Sequence, residues 1–230
     1  MLKVTDPVSP APVHRIQENF LAASERQLLN AICARLPAWV KPDLLTAIGI
    51  AGSAIVFAGY AASTFHAGWL WLAIFGFAVQ WFGDSLDGSL ARYRRIERPS
   101  FGYFIDHSCD GIATLLIAAG LGFSPYVRLD VALFALCGYL LMAVHTFLAA
   151  RVVAEVRLSY LNFGPTELRF VMIGMTIAMM ILGPEPDRFA PYSGFDALTL
   201  LVGVFLVGLF SAQTLITGRR LDRIDRGVGG

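Results

Sequence analysis

Apolar residues run in long, nearly unbroken blocks along this chain, and charged residues gather between the blocks. A helix needs about 20 apolar residues to cross a bilayer. Six stretches approach that length: 44–62, about 67–82, about 103–121, about 131–150, about 168–182 and about 198–216. The first contains no charge. The second continues into a polar end at Gly83, and the third carries Asp106, His107 and Asp110 in its first two turns. Pro42 precedes the first stretch and a Gly-Pro pair opens the fifth, both suitable helix entries. The pattern predicts an all-α membrane protein with six transmembrane helices.

The segment before the first span has a different pattern. Val13, Ile16, Phe20, Leu21, Leu28, Ile32 and Leu36 recur near helical spacing, with Arg15, Glu18, Glu25, Arg26 and Arg35 between them. This predicts an amphipathic helix over 13–36, lying on the membrane interface or packed on the protein's own loops. Residues 1–12 are expected to fray. The first forty residues hold no apolar block of the signal-peptide kind. The chain divides into a cytoplasmic amphipathic segment (1–40), a six-helix domain (41–218) and a basic tail (219–230). It has no internal repeat and no low-complexity stretch.

Composition agrees with lipid as solvent. Hydrophobic residues make up 56% of the 230, charged residues 15%, and mean hydropathy is +0.62. A soluble domain needs more polar surface than that. Seventeen Phe and four Trp suit lipid contact and interfacial belts. The net charge of +1 conceals a strong asymmetry. If the spans alternate, sixteen Lys and Arg fall on the side of the two termini. Only Arg128 and Arg188 fall on the other. By the positive-inside rule, both termini are expected in the cytoplasm, in a bacterial-type inner membrane. No nucleic-acid partner is expected.

The cysteines (Cys33, Cys109, Cys137) form no CxxC pair, and the histidines form no HExxH pattern. Cys33 and Cys137 are expected as small packing residues. His145 is expected to pack or hydrogen-bond in the fourth span, and His66 suggests no chemistry.

The chemistry lies in four aspartates. Ionisable residues within membrane helices are costly and usually functional. Asp84 and Asp87 are three apart, and Asp106 and Asp110 four apart, so each pair shares a helix face. If the second and third spans pack side by side, all four converge on one small volume. Such charge density requires protonation or a cation. Oxygen ligation suits Mg²⁺ or Mn²⁺, and four carboxylates suffice for two ions. One such aspartate alone would be a buried partner for Arg or a helix cap. Gly88, Ala91 and Gly102 leave room for a ligand near the backbone, and Arg92 offers a planar cation suited to phosphate. Arg94, Arg95 and Arg98 are expected to be solvated loop residues.

In order, Asp84-Ser-Leu-Asp87-Gly88-Ser-Leu-Ala91-Arg92, nine residues, then Gly102-Tyr-Phe-Ile-Asp106-His-Ser-Cys-Asp110 resembles the signature of the CDP-alcohol phosphatidyltransferase family. All eight fixed positions of D-x-x-D-G-x-x-A-R and G-x-x-x-D-x-x-x-D match. Pro42-Asp43-Leu44-Leu45-Thr46 resembles the family's P-N-x-x-T, with Asp where Asn is usual. The resemblance implies a six-span enzyme that cleaves a CDP-linked donor and releases CMP as an acceptor hydroxyl attacks the distal phosphorus. It implies that Asp84, Asp87 and Asp106 hold metal, and that Asp110 holds metal or takes the proton. It implies contacts to the cytidine diphosphate from Asp84, Gly88, Ala91, Arg92 and Gly102, with Asp43 and Thr46 placed to close over the nucleotide. It also implies a homodimer, which the small residues of the third and fourth spans allow.

Asp106-His107-Ser108-Cys109-Asp110 further resembles the D-H-x-C-D variant of eukaryotic choline and ethanolamine phosphotransferases, and Gly164-Pro165-Thr166-Glu167 resembles a G-x-T-E element of that branch. By that likeness His107 and Glu167 join Asp110 as candidates for activating the acceptor hydroxyl. His107 serves equally well as a support for Asp106 or Asp110, and Glu167 as a charge favoured at a helix start. Arg151, Arg157 and Arg169 suit an acceptor phosphate or headgroup, or simply obey the charge rule. The donor is either CDP-diacylglycerol attacked by a polar alcohol, or a CDP-linked small alcohol attacked by a lipid hydroxyl. His107 and Glu167 favour the second. Two alternatives keep the same carboxylates: a hydrolase of CDP-lipids and, in another class, a divalent-cation transporter.

Overall fold

A computed structural model describes residues 14–16, 22–153, 155–157, 165–184 and 192–228. Seven α-helices carry the fold: α1 (Ala22–Cys33), α2 (Pro42–Ala62), α3 (Leu70–Arg94), α4 (Pro99–Gly122), α5 (Leu129–Val153), α6 (Pro165–Leu182) and α7 (Gly194–Val228). A 3₁₀ turn, Ala67–Trp69, leads into α3, with the His66 ring accepting from the Gly68 N–H at 2.9 Å. Two three-residue strands, β1 (His14–Ile16) and β2 (Glu155–Arg157), pair in parallel with Arg15 opposite Val156. Of the helix expected over 13–36, the described residues show Ala22–Cys33 helical and His14–Ile16 in a strand; 13 and 17–21 lie outside the described residues. Backbone groups at 14–16 find long-range partners, which outweigh a short apolar period. Residues 1–12, Gly164 and Arg188 lie outside the described residues, as do the side chains of Arg151 and Arg157.

Among the described residues, four helices are long and apolar enough to cross a membrane: Pro42–Ala62, Pro99–Gly122, Leu129–Ala150 and Gly194–Gly227. Only 17–39% of each span is buried inside the protein, so most of their apolar surface needs another apolar solvent. Phe104, Ile112, Leu115, Leu148 and Leu201 are among the outward side chains. This is an integral membrane protein. The expected second and fifth spans correspond to α3 and α6. Gln80, Asp84 and Asp87 dilute the apolar run of α3. The 18 residues of α6 open with Glu167 and Arg169 near one end. The expected tail begins within a helix. It continues α7, where Arg226 pairs with Asp222 one turn back at 2.9 Å.

Helices α2 and α3 form the centre, and glycine brings their backbones together. A Cβ on Gly52 would strike the Gln80 backbone, one on Gly59 the Ala73 backbone, and one on Gly83 the Gly49 backbone. A Cβ on Gly76 would sit 2.6 Å from the Val56 nitrogen. Helix α4 packs on α2, α5 on α4, α7 on α5, and α6 on α3. The small residues of the expected third and fourth spans serve these internal seams. Gly120 lies against Phe57, and Gly138 against Leu206 and Gly203.

Two buried clusters divide the molecule. One joins Val56 and Tyr60, Phe77, Leu121, Val131, Met179 and Phe195, so six helices meet there. The Tyr60 and Thr176 hydroxyls share a hydrogen bond of 2.6 Å within it. Ser193 and Asp196 form a reciprocal cap at the start of α7, each side chain accepting from the other's N–H, and Asp196 also accepts from the Arg128 N–H at 2.7 Å. The second cluster lies at the aspartate end: Leu29, Cys33, Val40, Leu45, Leu86 and Leu90. It seats α1 on α3, so this helix packs on the protein itself. Cys33 is buried as expected, and its thiol pKa is pushed up by desolvation. Cys137, expected in packing, is exposed on α5 among outward apolar side chains. His145 is buried, with Nδ1 3.4 Å from Thr214 Oγ1.

Candidate active site

The aspartates sit on two helices that do not pack along each other. Because α4 leans on α2, a gap remains between α3 and α4, floored by α2. All four carboxylates line the small cavity in that gap, with Thr46, Gly49, Ile50, Gln80, Cys109 and Ala113. The convergence expected from side-by-side packing is present, but reached through a third helix. A direct α3–α4 seam would fill the space a ligand needs.

Each carboxylate has a distinct environment. Asp87 Oδ2 accepts from Thr46 Oγ1 at 2.6 Å, and its Oδ1 accepts from the Gly88 N–H at 2.5 Å. Asp84 forms an ion pair with Arg169 of α6, whose Nε also donates to Gln80 Oε1 at 2.5 Å. The side chains of this pair are 25% and 12% exposed. Asp106, His107 and Asp110 offer ligand atoms that all lie within 4.8 Å of one another. Asp110 is the more open, with 43% of its side chain exposed, and its Oδ2 is 3.6 Å from His107 Nδ1. The His107 ring is held edge-on to Tyr103, with Phe147 of α5 at 4.9 Å between centroids.

A cleft of about 300 Å³ adjoins this cavity and shares Thr46, Asp87 and Asp106 with it. Its lining includes Asp43, Gly88, Ala91, Arg92 and Gly102, so every residue singled out for the nucleotide except Asp84 faces it. Nothing lies within 4 Å of where a Gly102 Cβ would stand, so this position opens to the cleft. A volume of this size accommodates a small-molecule ligand.

Other expectations change. Arg98 is no idle loop residue: it lines the cleft, pairs with Asp43 and lies over the Phe101 ring at 4.2 Å. Arg94 donates to the carbonyls of Leu36, Pro37, Ala38 and Val40 and so fastens the turn between α1 and α2. Arg95 caps α3 in the left-handed region, at φ 55°. Glu167 lies in the first turn of α6 and lines neither cavity. Sequence reasoning passed over Gln80, although a lone amide within an apolar run was a usable signal; it is 5% exposed and holds Arg169.

The family model for CDP-alcohol phosphatidyltransferases matches residues 39–214. The chain therefore belongs to that family. It is similar to cholinephosphotransferase 1 of Danio rerio, at 29% identity over 50% of this chain and 34% of the relative. It is 26% identical to cholinephosphotransferase 1 of Gallus gallus, over 87% of this chain and 61% of that one. A phosphatidylinositol phosphate synthase of Cutibacterium acnes is 33% identical over 45% of this chain and 48% of its own length. The chain thus spans between about a third and three-fifths of these relatives.

Proposed function

We propose that this protein is a phospholipid-synthesising transferase that moves a phosphate-linked group from a CDP-linked donor to an acceptor hydroxyl and releases CMP. The observation that carries the reading is the junction of the two cavities: a carboxylate pocket opens directly onto a nucleotide-sized cleft, through Thr46, Asp87 and Asp106.

Gly88, Ala91 and Gly102 let the donor approach the backbone, and Arg92 and Arg98 provide cations for its diphosphate. The donor set suits Mg²⁺ or Mn²⁺: oxygen ligands from Asp84, Asp87, Asp106 and Asp110 would hold two ions. When bound, such ions neutralise diphosphate charge. The acceptor hydroxyl attacks the distal phosphorus, the phosphorus–oxygen bond to CMP breaks, and the bridging oxygen leaves with CMP. Asp110, the exposed carboxylate, takes the hydroxyl proton, and His107 steadies it. Arg169 reaches the site from α6 and serves the acceptor side; Glu167, in the first turn of the same helix, is a candidate for activating the acceptor hydroxyl, and Arg151 and Arg157 are further candidates for the acceptor's phosphate or headgroup.

The motif variant around His107, together with the relatives' names, favours a CDP-linked small alcohol as donor and diacylglycerol or another lipid hydroxyl as acceptor. We read α2 to α7 as six spans, with both termini and the site on the cytoplasmic side, where sixteen cations collect. We also propose a homodimer, on family likeness alone. Purified protein with Mg²⁺ and radiolabelled CDP-choline or CDP-diacylglycerol, with and without lipid acceptors, tests the function. CMP release that never depends on acceptor would overturn a transferase in favour of a hydrolase.

A further inference from the structure

Glu25, Leu29 and Cys33 are spaced four apart and lie on the face of α1 turned to α3. Leu29 and Cys33 suit an apolar seam, whereas Glu25 does not. A carboxylate in such a place is costly unless hydrogen-bonded. Here Oε1 accepts from Trp81 Nε1 on α3 and from Thr166 Oγ1 on α6, each at 2.8 Å.

Both donors are one turn from a residue of the site. Trp81 precedes Asp84 by three residues on α3, and Thr166 precedes Arg169 by three on α6, so each pair shares a face. Across that face Arg169 binds Asp84 and Gln80. The start of α6 is thus tied to α3 twice, once through Arg169 and once through Glu25. A further polar tie of α6, Tyr60 to Thr176, lies more than two turns further along the helix.

We propose that Glu25 is a positioning residue for the reaction: by accepting from Trp81 and Thr166 together, it sets the first turn of α6 on α3 and holds Arg169 at Asp84. The acceptor side of the site is then built partly by the N-terminal helix. This rests on the transferase reading only for its effect on rate; the positioning itself is measurable without turnover.

Three variants test it in the full chain: Glu25→Ala, Glu25→Gln and Thr166→Val. Hydrogen exchange at the amides of 169–172, the first that bond within α6, reports the position of the turn. Exchange there should quicken about tenfold in Glu25→Ala and Thr166→Val. It should stay near the parent rate in Glu25→Gln, whose amide oxygen accepts from the same donors. Acceptor-dependent CMP release should fall in kcat on the order of tenfold for the first two variants. KM for the CDP donor should hold within about twofold, because α6 does not line the cleft. A Glu25→Gln as impaired as Glu25→Ala overturns the proposal, as does unchanged exchange. Loss of folded protein in both Glu25→Ala and Thr166→Val, or a loss in Glu25→Ala with kcat per folded molecule unchanged, would assign Glu25 to folding and also overturn it. If the parent chain releases no CMP, the transferase reading fails, and exchange alone still decides the role of Glu25.

Discussion

Thr46 Oγ1 donates to Asp87 Oδ2 across 2.6 Å, linking the first turns of α2 to the second carboxylate of the motif. The hydroxyl expected to close over the nucleotide lines the cleft and also holds the carboxylate, at the point where the two cavities join. A hydrogen bond to a charged group contributes about 1.5–3 kcal/mol. Thr46→Val should therefore lower CMP release at least tenfold at limiting Mg²⁺, while Thr46→Ser stays within about threefold. Titrating metal against initial rate checks it, and equal rates for Val and Ser would remove Thr46 from the site.

Asp110→Asn should reduce transfer by about 10³-fold with expression and membrane insertion intact, the scale of a lost general base. Near-normal turnover with every metal tried would reassign Asp110. His107→Ala separates two roles. A loss restored by excess Mn²⁺ marks support of Asp110, whereas a loss that persists at saturating metal marks proton transfer.

Two glycine substitutions should fail differently. Gly52→Ala drives a methyl into the Gln80 backbone, which neither helix can yield, so little folded protein should be recovered from membranes. Gly102→Ala meets nothing within 4 Å and should fold normally. Its methyl instead occupies the cleft, so KM for the CDP donor should rise about tenfold with melting temperature unchanged. A Gly102→Ala enzyme with parental KM would exclude this wall from donor binding.

Arg98 and Asp43 form an exposed pair at the cleft, with side chains 52% and 60% exposed, so the pair adds little to stability. Arg98→Ala should leave the melting temperature alone and raise donor KM several-fold, more at low than at high salt. Asp43→Asn frees the guanidinium and should lower that KM. Equal KM values in all three proteins would return Arg98 to the solvated loop.

Tyr60→Phe removes one partner of the buried pair with Thr176, which still donates to the Met172 carbonyl at 2.7 Å. The cost should be about 1 kcal/mol, read as a small drop in melting temperature. Thr46 is fourteen residues away on α2, roughly 21 Å by helical rise. Rates at saturating substrate should therefore match the parent.

Much of the site was legible because its residues are local in sequence. Asp84 with Asp87, and Asp106 with Asp110, occupy shared faces by helical period alone, and Gly88, Ala91, Arg92 and Gly102 fall within a turn or so of them. The same arithmetic drew residues 14–16 into the first helix, where a strand pairs with Glu155–Arg157 instead. It also treated Arg94 and Arg98 alike. Their difference depends on what stands opposite: four carbonyls of the α1–α2 turn for one, Asp43 and the cleft for the other.

By itself the sequence determined the helical membrane character, the gathering of charge between apolar blocks and the two carboxylate pairs. All three follow from the cost of placing charge in lipid and from a period of 3.6 residues. Only the tertiary structure decided that α4 leans on α2, that glycines seal α2 against α3, that Arg169 reaches Asp84 from α6, and that Glu25 joins α1 to both α3 and α6. Those outcomes depend on contacts between residues as far as 141 positions apart, which no local period encodes.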